Sequence, residues 1–137
     1  MLDRGLERSQ LPFCREQGIA VLAYSPLAHG LLTGKIGPER EFHGDDLRRH
    51  NPRFSVENRR RVAALVASIQ PIADAHNLTL AQLVIAWTAA QPGITHVLVG
   101  ARGPQQAVEN AAAGDLALSD DELARLDSAL AAHPDAQ

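Results

Sequence analysis

The sequence holds a single cysteine, Cys14, and a single lysine, Lys35. One thiol excludes an intrachain disulfide and any zinc site built from several cysteines. No apolar run comes near the roughly 18 residues that a membrane span requires. The formal net charge of -3 gives no attraction to nucleic acid or to an anionic bilayer. Internal repeats and low-complexity tracts are missing, apart from a general richness in alanine. The opening residues MLDRGLERSQ are polar and mixed in charge, unlike a signal peptide. These absences lead to the expectation of a reducing cytoplasm, with neither nucleic acid nor membrane as a partner.

What is present suits one folded unit. The 137 residues are 45% hydrophobic and 21% charged, ordinary for a globular chain, so a single domain over 1–137 is expected. Almost all basic charge is arginine, and the one basic run, Arg59-Arg60-Arg61, reads as a solvated helix face.

Residues 6–17 read as a short amphipathic helix with Leu6, Leu11 and Cys14 turned inward and Gly18 at its end. Cys14 is expected to be a small buried side chain and not a nucleophile. Residues 19–24 are apolar at successive positions, which implies a strand covered on both faces, as in parallel sheets. Pro26, Gly30 and Gly34 mark an irregular segment, and 36–58 reads as a long loop with one helical turn. Val62, Leu65, Val66, Ile69, Ile72 and Ala73 recur at three-and-four spacing, predicting a helix over 56–76 that Pro71 kinks or distorts.

Thr79 is placed to cap a further helix through Gln91, with Leu80, Leu83, Val84 and Trp87 in the core. A second strand covers 95–99, and Pro104 opens a helix to about Ala113. Ser119 and Glu122 form a capping-box pattern before a last helix over 120–132. Its acidic opening, Asp120-Asp121-Glu122, suits a helix N-terminus better than a metal site. Strands separated by helices imply parallel pairing. Two strands cannot close a barrel or cover their own edges, so the expected fold is a piece of a larger α/β architecture.

Several segments occur in one order over essentially the whole chain. They are Leu2-Asp3-Arg4-Gly5, then Tyr24-Ser25-Pro26-Leu27 with Gly30-Leu31-Leu32-Thr33-Gly34-Lys35, and Gly44-Asp45-Asp46-Leu47-Arg48. Asn51-Pro52-Arg53-Phe54 with Glu57-Asn58 follows, and later Gly100-Ala101-Arg102 with Gln106, Glu109 and Asn110. Together they resemble the aldo-keto reductases, nearest to the bacterial inositol-utilisation and general-stress reductases and more distantly to potassium-channel beta subunits. The resemblance implies the C-terminal portion of a (β/α)8 TIM barrel, comprising two parallel strands and their helices. It also implies an NADP(H)-dependent oxidoreductase moving hydride between carbonyl and alcohol groups. Whole barrels run to about 250 residues or more, so roughly half the fold is expected outside this chain. Met1 falls where the family has an interior residue, which implies a start inside the fold through a translation start or a broken gene.

The family's catalytic Asp, Tyr, Lys and His come from earlier strands and loops, and no segment here matches them. No catalytic residue is therefore expected. The resemblance assigns Tyr24 to stacking on the nicotinamide, with Ser25, Pro26 and Leu27 at the same strand end; alone, Tyr24 equally suits a core. It assigns Gly30 and Lys35 to the pyrophosphate, where without it a surface turn is the commoner meaning. Arg48 or Arg49 is either a clasp from the long loop or solvated. Gly100 and the amides near Pro104 suit an anion, and Arg102 suits a 2′-phosphate, which favours NADP(H). Gln106, Glu109 and Asn110 face the adenosine or form a polar solvent face. A small carbonyl substrate is expected only in a complete barrel. The alternative is a non-catalytic NADP-binding or assembly module completing a barrel with a separate N-terminal half; a third reading is a truncation product that aggregates through its strand edges.

Overall fold

The longest apolar stripe decides where the core lies. In the computed structural model, which describes residues 1–136, that stripe forms one helix, while Gln137, the last residue of the expected domain, lies outside the described residues. In chain order the elements are α1 (Gln10–Glu16), β1 (Leu22–Tyr24), α2 (Val56–Ala75), α3 (Leu80–Ala89), β2 (His96–Leu98), α4 (Pro104–Ala111) and α5 (Asp120–Ala132). Short 3-10 turns fill several connections, including Ala28–Thr33, Leu47–His50 and Pro52–Phe54. The strands pair in parallel, as the alternation of strands and helices implies.

Val62, Leu65, Val66, Ile69, Ile72 and Ala73 of α2 are all buried. They meet Leu80, Leu83, Val84 and Trp87 of α3, Leu126 of α5, and Leu31 and Leu32 of the 3-10 segment. The core is therefore almost wholly helical, with the sheet at its margin. Neither strand contributes a buried residue: Leu22 is 50% exposed, Leu98 49% and Tyr24 81%. This corrects the expectation of a strand covered on both faces. Apolar strands of this kind are covered by neighbouring strands and by helices on both sides, and a lone pair supplies too few of either.

The helix ends follow local chemistry. Thr79 and Ser119 each accept from the backbone N–H three residues on, and Gln82 and Glu122 reach back, so both capping boxes form. α2 stops at His76 because Asn77 turns left-handed (φ 54°), letting the Leu78 N–H return to the Ala73 carbonyl. Pro71 sits on the exposed side of α2, which runs unbroken through it. The first predicted helix is shorter than expected and preceded by a 3-10 turn at Gly5–Arg8; Leu6 is exposed and Cys14 half-buried, leaving Leu11 as its anchor.

Glu122 does more than cap α5. Its carboxylate accepts from the Ser119 N–H and hydroxyl and pairs with the imidazole of His76, tying the start of α5 to the end of α2. The Ser119 N–H, the His76 ring and the Ser119 hydroxyl together lower its pKa from 4.5 to about 2. A depressed acid adds stability above its unfolded value, and that contribution is lost as pH falls from about 4.5 towards about 2. Glu122→Gln is expected to lower Tm at neutral pH and to flatten its decline across that acid window. Thermal melts at stepped pH read both, and an unchanged acid limb would contradict the latch.

Candidate functional site

The register of the sheet sets the geometry: Leu22 pairs with His96, Ala23 with Val97 and Tyr24 with Leu98. The strands are flush, so the segments leaving their C-terminal ends, 25–35 and 99–103, start side by side. At the opposite end the Val21 N–H donates to Thr95 Oγ1 at 3.0 Å, and the Thr95 N–H returns to the Val21 carbonyl at 2.9 Å. Those two bonds lock the register.

After Tyr24 the backbone is unusually bent. Ser25 (φ 52°), Ala28 (φ 47°) and His29 (φ 54°) all occupy the left-handed region without being glycine, and Gly30 (φ 99°) and Gly34 (φ 73°) join them. Each such non-glycine residue costs on the order of 1 kcal/mol or more and persists only where its surroundings enforce it. Here the enforcement is visible: Pro26, Ala28, Leu31 and Leu32 are buried, and the Thr33 hydroxyl closes the turn on the Gly30 carbonyl at 2.7 Å. At Gly34 the positive φ favours glycine, and a Cβ would also press on Leu80 Cδ1 at 2.8 Å, pushing that methyl aside. The turn leaves Ser25, His29 and Lys35 exposed on its outer side.

The second strand end is shaped by α4. Gly103 provides no side-chain cap, and Pro104 occupies the first turn. Gln106 Oε1 accepts from the Arg102 N–H at 2.8 Å, and Asn110 Nδ2 donates to the Gly100 carbonyl at 3.2 Å. Both amides thus hold the 100–102 loop down on α4, while the Arg102 side chain stays exposed. Glu109 and Asn110 are half-buried, and Gln82 of α3 donates to the Glu109 carbonyl at 3.0 Å.

The long loop is fastened from within. Arg48 grips Asp46 through its Nε (2.8 Å) and Nη2 (2.5 Å), and its guanidinium lies 4.8 Å from the Phe42 ring centre. That grip, with the Arg48 N–H donating to the same carboxylate, outweighs desolvation and holds the Asp46 carboxyl down at about 2. Arg49 remains exposed.

Comparison with known proteins adds the family. The model of the aldo/keto reductase family matches residues 1–131. The chain belongs to that family. Among its relatives, the NADH-specific methylglyoxal reductase of Escherichia coli is 38% identical over 120 residues, covering 88% of this chain and 36% of the relative. The NADP(+) aldo-keto reductase yakc of Schizosaccharomyces pombe is 37% identical, covering 78% of this chain and 32% of its own length. A glycerol dehydrogenase structure from Gluconobacter oxydans superposes with a TM-score of 0.87 at 30% identity, over 96% of this chain and 40% of that one. The chain thus spans about a third of the length of these curated relatives.

Within an aldo-keto reductase fold of this extent, the strand ends form an open surface. The two grooves of note lie elsewhere. One, of about 540 Å³ between Leu11, Arg15, Glu16, Gln91 and Pro92, sits where the chain enters β1 and β2. The other, of about 410 Å³, runs beside Arg53, Asn58 and Arg61 at the start of α2. Neither touches the segments assigned to cofactor, although the second is lined by Asn51, Pro52, Arg53, Glu57 and Asn58 of a segment that carries the family resemblance.

Two contributors escape the sequence reading. Asp46 was part of a quoted motif but had no role. Arg59, expected in a solvated run, is 6% exposed: its guanidinium donates to the carbonyls of Phe54, Gly37 and Arg40. The signal was available, because Arg59 stands three and seven residues before Val62 and Val66 on the buried stripe of α2. Arg60 and Arg61 are the solvated members of the run, Arg61 pairing with Glu57 at 3.4 Å.

Proposed function

We propose that this chain carries the NADP(H)-gripping, C-terminal part of an aldo-keto reductase barrel and none of its reacting groups. The observation that carries the reading is the flush parallel register, which brings 25–35 and 99–103 to one edge. Nicotinamide cofactor, when bound, supplies or accepts the hydride exchanged with a small carbonyl compound in the complete barrel. Tyr24 offers an exposed ring for stacking on the nicotinamide, with Ser25 and Leu27 beside it and buried Pro26 fixing the turn. Gly30 allows close backbone approach of phosphate, and Lys35 adds charge.

Gly100, the amides opening α4 and the Arg102 guanidinium suit the 2′-phosphate, and Glu109 is the group left for adenosine. Gln106 and Asn110 serve by shaping the loop. The printed names of the relatives divide between NADH and NADP(+). The residue reading for Arg102 therefore makes a choice that experiment can decide. Arg102→Leu is expected to weaken NADPH binding about ten- to a hundredfold and leave NADH nearly unchanged. Fluorescence titration of both nucleotides measures it, and an equal loss for the two would refute the 2′-phosphate role.

A second reading, a non-catalytic assembly module that completes a barrel with a separate N-terminal half, draws on the uncovered sheet. Ile19, Leu22 and Leu98 leave roughly half of each side chain in solvent. Such a surface suits further strands.

A further inference from the structure

Helix α4 buries none of its residues, and Val108, its largest apolar side chain, is 71% exposed. So short a helix is marginal without tertiary support. Apolar packing gives it little, since the buried anchor, Ala113, lies just past its end. A polar tie comes from α3. Gln82 is the third residue of that helix, and both ends of its amide are engaged. Its Oε1 accepts from the Thr79 N–H at 3.0 Å and the Thr79 hydroxyl at 3.1 Å, completing the capping box. Those two donors fix the orientation of the amide, so Nε2 points the other way and donates to the Glu109 carbonyl at 3.0 Å. Glu109 stands in the last turn of α4, where helix carbonyls lack a regular partner. From α4 the bonding continues: Asn110 Nδ2 donates to the Gly100 carbonyl at 3.2 Å, and Gln106 Oε1 accepts from the Arg102 N–H at 2.8 Å. One series of hydrogen bonds thus runs from the cap of α3, through α4, to the 100–102 loop.

We infer that Gln82 is a positioning residue for the adenosine end of the cofactor site, seating α4 and, through it, Glu109 and the 100–102 loop. The inference rests on the cofactor reading given above. The acceptor and donor halves of the amide serve different helices, and chemistry can separate them. A glutamate completes a capping box as well as a glutamine does. Its carboxylate has no N–H to offer the Glu109 carbonyl, however, and would set two oxygens against each other. The loss of one such bond changes a local opening equilibrium severalfold.

Gln82→Glu in the full chain tests it, because the cap of α3 is kept and the tie to α4 is lost. Amide exchange across 105–113 and the 100–102 loop is expected to accelerate about fivefold, with α2, α3 and the 25–35 turn unchanged. The binding probe is adenosine 2′,5′-bisphosphate, which carries the 2′-phosphate and lacks the nicotinamide. Its affinity is expected to fall about fivefold. Gln82→Met removes the donor without adding charge, and a similar loss there separates positioning from repulsion of the phosphates. A role confined to the cap predicts the reverse pattern, with Gln82→Glu silent and Gln82→Met loosening α3 alone. That pattern, unchanged α4 exchange in Gln82→Glu, or unchanged bisphosphate affinity in either variant would each overturn the positioning role. Failure of the unsubstituted chain to bind the bisphosphate would instead overturn the cofactor reading, and this inference with it.

Discussion

Supplied with NADPH and an aromatic aldehyde, the purified chain is expected to give no turnover above the uncatalysed rate. Reduction of a carbonyl needs a proton donor at the oxygen as hydride reaches the carbon, and a positioned general acid typically contributes about a hundred- to ten-thousandfold. The chain has one tyrosine and one lysine, Tyr24 and Lys35, and both stand in the segments proposed for cofactor. A reductase site using a tyrosine acid tuned by a lysine would have to take both from the grip itself. The carbonyl would also lack walls: Tyr24 is 81% exposed on a sheet edge, so the described residues leave its ring open to water and give a substrate no fixed orientation there. Steady-state assay of protein free of host reductases measures this, and turnover that tracks the purified chain and vanishes in Tyr24→Phe would contradict it.

The largest stability effect is expected at Trp87. Its side chain is 1% exposed among the α2 and α3 apolar residues, with the Arg4 guanidinium 5.3 Å from its ring centre. Arg4 is itself held by Glu7 and Asp127, so the indole lies beneath a fixed cation that links the start of the chain to α5. Trp87→Ala removes the largest core side chain and is expected to cost about 3–5 kcal/mol. That is a large share of the roughly 5–15 kcal/mol that stabilises a typical domain. The indole Nε1 is buried without a hydrogen-bond partner among the described residues. Trp87→Phe leaves no such orphan and is expected to cost only about 1–2 kcal/mol. Urea unfolding of the two variants checks the pair, and equal losses would show that the ring volume is not what the core depends on.

Where the sequence speaks through local chemistry, structure and expectation agree closely. The Ser119–Glu122 and Thr79 caps, Pro104 at the opening of α4 and the α2 stripe all depend on residues within one or two helical turns. Parallel pairing was also legible, because helices separate the two strands. The cover of those strands was not, since an apolar run states what a strand requires and not whether neighbours within the same chain supply it. Arg59 was misread because a triple-arginine run suggests solvent, while its register on α2 puts the first member on the buried stripe. The Asp46–Arg48 grip and the stack on Phe42 depend on the path of an aperiodic loop, which no spacing rule encodes. At the proposed site, the adjacency of 25–35 and 99–103 followed from parallel strands, but the structural use of Gln106 and Asn110 required the loop conformation.

The central claim, that flush strand ends form an NADP(H) grip, is met most directly by titrating the unsubstituted chain with NADPH and NADH at one ionic strength. Saturable binding of NADPH, tighter than that of NADH by about tenfold, is the expected result. Absence of saturation with either nucleotide, or a preference for NADH, would contradict it.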